Sequence, residues 1–300
     1  NMKKNVSILF IGNSLTASSI SYIPYMLKHY YPDVFNYKFY LWFNGGQDMV
    51  HQYQIASSNE KAQEFFVCEN GEYWDAYKNT DSKTLKYVLE TYQFDIVCMQ
   101  EYFNYKVPYA QTDLTAWNNM ISYIADNYEG ENALKFVTLF PVPRPTPAES
   151  EQTYTTDAIF ESTQDGLATI LQETITEDMM SPGLAMYRAR ATSLDALGDA
   201  GHLSEDGTHP QDGIPTLITC LSVLWWMFNA YSLNLSVYKF PMKITQALYD
   251  SLNGHRTWDD AGTGVIEGTD AQNLLAQEVV IKACKEGKQF VAKNLYADNA

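Results

Sequence analysis

A strand buried on both faces has few homes other than the parallel sheet of an α/β protein, and Val6–Ile11 (VSILFI) reads as such a strand. The run is almost continuously apolar and stops at Gly12. Runs of similar character follow at Tyr37–Phe43, stopped by Asn44-Gly45-Gly46, at Asp95–Gln100, and at Lys135–Phe140, stopped by the proline-rich Pro141–Pro147. A short strand is expected near Asp178–Ser181. Helically spaced apolar positions lie between and beyond them, over Tyr22–Tyr30, Thr84–Tyr92, Leu114–Tyr128, Ala158–Thr174, Leu184–Leu197, Ile214–Tyr231 and Ala271–Phe290. This alternation predicts βαβ units: an α/β protein with a mainly parallel sheet and helices on both faces. Ligands of such sheets bind outside the carboxyl ends of the strands. The residues to inspect are therefore Gly12–Thr16, Asn44–Asp48, Gln100–Tyr105 and Pro141–Thr146.

With 300 residues, 46% of them hydrophobic, the chain has material for one large core. The expected organisation is a catalytic unit over residues 1–231 and a C-terminal extension, 232–300, packed on the same domain. A formal net charge of −16 argues against nucleic acid and anionic membrane as partners, and also serves plain solubility. The longest apolar stretch, Leu217–Phe228, carries Thr219 and Ser222 and falls short of the ~18 residues of a membrane span. The first strand starts at Val6, which leaves no room for a leader. Asn1 in place of Met is compatible with a leader already removed, so secreted, periplasmic and cytoplasmic locations all stay open. Cys68, Cys98, Cys220 and Cys284 are widely spaced, with neither a disulfide framework nor a zinc pattern among them. No metal-ligand cluster is expected.

Ser14 sits in Gly12-Asn13-Ser14-Leu15-Thr16, a strand-to-helix turn that can present a hydroxyl at the sheet edge beside free helix N–H groups. A serine there can equally be a helix cap. Thr16 stands where the G-x-S-x-G elbow would have glycine. In Asp206-Gly207-Thr208-His209-Pro210, an aspartate three residues before a histidine can fold back onto the imidazole and orient it as a general base. Asp199-Ala200-Gly201-His202 has the same spacing but lacks the following proline, which makes His202 the rival base. Gly46 lets the backbone approach a substrate and offers an N–H to an oxyanion. Gln100 and Asn104 each bring an amide that could supply a further donor, and His51 is expected to pack near Gly46. Tyr102, Phe103, Tyr105 and Tyr109 gather after the third strand, where aromatic faces would suit a sugar ring.

The order Ser14, Gly46, Asn104 or Gln100, then Asp206-x-x-His209 resembles the blocks of the SGNH (GDSL-like) hydrolase superfamily over about residues 6–231. GNSLT stands where that family has G-D-S-L, and Gln100–Asn104 departs from its G-x-N-D block. The Gly45-Gly46 to His51 pattern also looks like a poorly characterised SGNH-like group common in gut Bacteroidetes. The resemblance implies a three-layer α/β/α fold with a five-stranded, mainly parallel, flavodoxin-like sheet. It implies ester hydrolysis without metal or other cofactor, with Ser14 as nucleophile, His209 as base, Asp206 as its orienter, and Ser14, Gly46 and Asn104 or Gln100 around the oxyanion. The expected substrate is a small-molecule or carbohydrate O-acyl ester, acetyl foremost. The altered third block keeps two other readings in play: a carbohydrate-binding protein on a degenerate scaffold, and an O-acyltransferase.

Overall fold

The computed structural model describes residues 2–69, 71–103, 111–145, 155–233, 240–252 and 264–295. The apolar runs form the strands expected of them. β1 (Lys4–Gly12) is exposed at its first two residues and buried over its last five. β2 (Phe35–Phe43) pairs with it in parallel along its whole length, from Lys4 opposite Phe35 to Gly12 opposite Phe43. β3 (Glu64–Glu69), β4 (Asp75–Lys78), β5 (Ile96–Met99), β6 (Lys135–Leu139) and β7 (Asp178–Met180) complete a sheet ordered β4-β3-β2-β1-β5-β6-β7.

Five of these strands, β2-β1-β5-β6-β7, run parallel in the flavodoxin-like order. The sheet nevertheless has seven strands, not five, because β3 and β4 add an antiparallel extension to the outer edge of β2. The extension has a clear physical role. β2 is rich in large aromatics, and an unpaired edge of that kind is a template for aggregation. β3 covers it and buries Phe65, Phe66 and Cys68 in doing so.

The helices are α1 (Ser14–Ile20), α2 (Ile23–Tyr30), α3 (Met49–Ser57), α4 (Leu85–Thr91), α5 (Gln111–Asn127), α6 (Thr156–Glu173), α7 (Pro182–Ala189), α8 (Ile214–Ala230), α9 (Gln246–Ser251) and α10 (Asp270–Leu295). α8 packs against α1, α2 and α7, while α5 packs against α3, α4 and α6. Together with the sheet these make a three-layer α/β/α arrangement. α10 lies along α7 and α8 at the β7 edge and reaches α6. Its Ala276, Val280 and Ala283 are buried in the same hydrophobic cluster as Ile8, Phe10 and Val97 of the sheet.

The helix expected over Leu184–Leu197 is interrupted: α7 ends at Ala189 and a 3-10 turn covers Ser193–Ala196. The backbone leaves helical geometry at Thr192, which is extended; its hydroxyl donates to the Ala189 carbonyl (2.6 Å) and accepts the Leu194 N–H (3.2 Å) as cap of the new turn. Arg190 donates to the carbonyls of Pro143 (2.6 Å) and His202 (3.1 Å), and burial lowers its pKa to about 10 despite the opposing pull of Asp195. All four cysteines are buried free thiols. Among the described residues no helix is long and apolar enough to cross a membrane.

Candidate active site

The order of the parallel strands reverses at β1, between β2 and β5, and the crevice outside such a reversal is where ligands bind in open α/β sheets. Three of the segments singled out from sequence meet there. The first is the turn after β1. Asn13, in extended backbone, caps α1 by accepting the Leu15 N–H on Oδ1 at 2.9 Å. The cap that serine could have supplied is thus made by its neighbour, and the Ser14 hydroxyl lies 2.8 Å from Nε2 of His209.

Gln100 sits beneath this turn, 1% exposed. Its Oε1 accepts from the Thr16 hydroxyl at 2.6 Å and from the Asn13 N–H at 3.4 Å, and its Nε2 donates to the Glu101 carbonyl at 3.0 Å. The amide is therefore a strut for the turn. Glycine is required at position 12, because a Cβ there would collide with the Thr16 side chain and crowd Gln100 Oε1 at 3.1 Å.

The second segment is the Asp-x-x-His loop, folded back on itself. Ser204 Oγ donates to the His209 carbonyl (2.8 Å) and accepts from the Gly207 N–H (2.9 Å). Gly207 has φ +87°, a conformation suited to glycine. Asp206 Oδ1 accepts the N–H groups of Thr208 (2.8 Å) and His209 (2.7 Å), and Oδ2 lies 2.7 Å from His209 Nδ1. A carboxylate only accepts, so Nδ1 carries the proton and Nε2 is left to accept from the serine. Partial burial raises the Asp206 pKa, but bonds from the His209 ring and from the His209 and Thr208 N–H groups outweigh it. They hold the carboxyl far below the usual range. The rival is arranged differently: His202 Nδ1 pairs with Asp195 at 2.9 Å, not with Asp199, and its side chain is 43% exposed.

The third segment is Asn44–Asp48. The Asn44 N–H donates to the Gly12 carbonyl (3.1 Å), the Asn44 amide donates to Gln52 (2.8 Å), and the Gly45 N–H donates to Gln63 (2.9 Å). Asn13 Nδ2 reaches across to the Gln47 carbonyl at 3.2 Å and ties this loop to the turn that carries Ser14. Gly46 is exposed with φ +68°. In these two turns the N–H groups of Asn13, Leu15, Thr16, Asn44, Gly45 and Gln47 all have acceptors. Those of Ser14 and Gly46 have none among the described residues.

The remaining sequence candidates divide. Asn104, Tyr105 and Tyr109 lie outside the described residues. Phe103 is fully buried and belongs to the core, whereas Tyr102 is half-buried. His51 pairs with the α3 cap Asp48 and is 57% exposed. Glu205, Asp206 and His209 present ligand atoms within 4.8 Å of one another, a grouping that could hold a cation and that the sequence spacing did not suggest. Both ring nitrogens of that histidine already have protein partners, Asp206 and Ser14. Sequence reasoning also passed over Glu101. Its signal was a charged residue directly after an apolar strand.

Fold and site together define an α/β/α protein with a serine–histidine–aspartate relay at the topological switch point. No protein-family model matches the chain. No curated protein matches it either. Among solved structures it is similar to a DUF4886 family protein from Bacteroides uniformis, with a TM-score of 0.69 and 14% identity over 93% of this chain and 95% of that one. A presumptive SGNH hydrolase from Slackia heliotrinireducens aligns with a TM-score of 0.48 and 16% identity, over 75% of this chain and 100% of that one. The likeness to the Bacteroides protein establishes a shared fold over nearly the whole length.

Proposed function

We propose that this chain is a serine esterase of the SGNH type that hydrolyses O-acyl esters, acetyl esters of carbohydrates foremost, with residues 232–300 as an extension of the same catalytic domain. The observation that carries the reading is the relay itself: Ser14 Oγ 2.8 Å from His209 Nε2, and His209 Nδ1 2.7 Å from Asp206. An oriented base within hydrogen-bond reach is what turns a weak alcohol nucleophile into a reactive one. Ser14 Oγ attacks the ester carbonyl carbon while His209 Nε2 takes its proton. The tetrahedral oxyanion is held by the N–H groups of Ser14 and Gly46, with the Asn104 amide, or the second N–H of Gln100 Nε2, as third donor. Collapse expels the alcohol, which leaves with the proton from His209. Water then attacks the acyl-serine through the same base and releases the acid. The carbohydrate part of the reading rests on the aromatics after β5, of which Tyr102 is half-buried.

A fluorophosphonate probe tests the nucleophile directly. The wild-type chain is expected to label at Ser14, and Ser14→Ala is expected to fold, to remain unlabelled and to lose aryl-acetate hydrolysis. A wild-type chain that bound sugars without labelling would be a binding protein on this scaffold. Preferential acyl transfer to an added sugar over water would make it a transferase.

A further inference from the structure

Gln100 supports the nucleophile turn, and the loop carrying Gly46 has a support of its own in the next residue. Glu101 is 0% exposed, a position in which a carboxylate is costly unless its oxygens are hydrogen-bonded. Its Oε1 accepts the N–H of Met49 at 2.9 Å and of Tyr102 at 2.8 Å, and its Oε2 accepts the indole N–H of Trp117 at 3.1 Å. Each of these three groups donates, and the carboxyl accepts through both of its oxygens. Met49 is the first residue of α3, where the helix dipole favours a negative charge.

We infer that Glu101 is a positioning residue for the oxyanion site. The inference rests on the reading of Ser14 as nucleophile. By clamping the first N–H of α3, the carboxylate fixes where the Asn44–Asp48 loop ends and therefore where the Gly46 N–H lies relative to Ser14. The loop is anchored at its other end by the Asn44 bond to Gly12 and in its middle by the Asn13 bond to Gln47. Met49 N is the anchor on the helix side. The dipeptide at the end of β5 thus serves both halves of the site: Gln100 under the nucleophile, Glu101 behind the donor loop. Glu101 acts through Met49, so its effect belongs to the transition state, when the oxyanion forms, and not to ground-state binding.

The test uses the full chain and three variants. Glu101→Ala removes both acceptor oxygens and with them the bond to the Met49 N–H. It is expected to lower kcat on aryl acetate by about tenfold to a hundredfold with KM changed less than about twofold. Affinity for a trifluoromethyl ketone, which forms a tetrahedral oxyanion with serine, should fall by the same factor as kcat. Met49→Pro severs the same link with Glu101 intact, at a helix position where proline is tolerated. Met49→Ala removes the side chain but keeps the N–H. Met49→Pro should reproduce the kcat loss beyond whatever Met49→Ala shows, which keeps the test valid even if Glu101→Ala fails to fold. Folded Glu101→Ala with wild-type kcat, or Met49→Pro no slower than Met49→Ala, overturns the inference and leaves the esterase reading standing. An active Ser14→Ala overturns both.

Discussion

Asn13 caps α1, and this frees the neighbouring serine hydroxyl for His209. The relay has a measurable signature. Ser14→Ala and His209→Ala should each lower kcat/KM by at least about 10³-fold, with the double variant hardly worse, because such residues act as a unit. His202→Ala should cost less than about threefold if the active relay contains one D-x-x-H motif and not the other; equal losses would mean that the base is misplaced. EDTA should leave the rate unchanged, since each ring nitrogen of His209 is already bonded within the protein. A rate lost on chelation and restored by a divalent cation would shift the role of Glu205, Asp206 and His209 to metal binding. The depressed Asp206 pKa fixes a sign. Its stabilising contribution is complete above the unfolded carboxylate value of about 3.9 and drains away as pH falls below it towards the lower folded value. The urea midpoint of Asp206→Asn should therefore vary less with acid than that of the wild type, an effect kept modest by the 46% exposure of the side chain. At this scale the sequence was informative where partners are close along the chain, as in Asp206 and His209. It was silent where they are distant: nothing local tells that Gln100 braces Thr16, eighty-four residues away.

The strands that announced themselves in the sequence are those buried on both faces, because continuous apolar runs have little alternative. β3 and β4 did not, since Glu64, Glu69, Asp75 and Lys78 at their ends break the pattern of short segments. α1 is seven residues long and three of them are serine, which hides a helix from periodicity, and α3 has the polar sequence MVHQYQIAS. The altered third block left Asn104 and Gln100 as candidate oxyanion donors; at Gln100 the amide joins β5 to the turn after β1. Two substitutions test that junction. Gln100→Ala leaves the buried Thr16 hydroxyl without its acceptor and should destabilise by about 1–3 kcal/mol in urea denaturation. Gly12→Ala forces the Thr16 side chain aside and should cost about 1–3 kcal/mol. Both should lower kcat by disturbing the serine. Asn104→Ala, by contrast, should reduce kcat about 10²-fold with stability unchanged, if the third donor is there; a wild-type rate would leave the anion to the Ser14 and Gly46 N–H groups and the Gln100 amide.

Over the whole molecule, α10 returns to cover α7 and α8, and its buried Ala276, Val280 and Ala283 share a core with the sheet. If residues 232–300 belong to the catalytic domain, urea unfolding followed by tryptophan fluorescence and by far-ultraviolet circular dichroism should give coincident single transitions. A chain ending at residue 231 should not fold. Two separated transitions, or an active truncated chain, would make the extension a domain of its own. The parallel alternation was legible because each crossover leaves a strand run followed by a helix run. The width of the sheet was not, because hairpin strands added at an edge need no such signature. The pairing of Gly12 with Phe43 reaches further than its place in the ladder suggests. Both turns proposed to hold the anion set out from that last rung, where the strands run at the near-fixed spacing of roughly 4.8 Å, so the ladder fixes where each turn begins. Machinery gauged by a ladder can outlast wholesale replacement of the surrounding loops. A library that exchanges surface segments outside the Gly12–Thr16 and Asn44–Asp48 turns and the Asp206–His209 loop should keep its turnover of aryl acetate while its choice of alcohol drifts, which would make this scaffold a permissive starting point for new ester specificities.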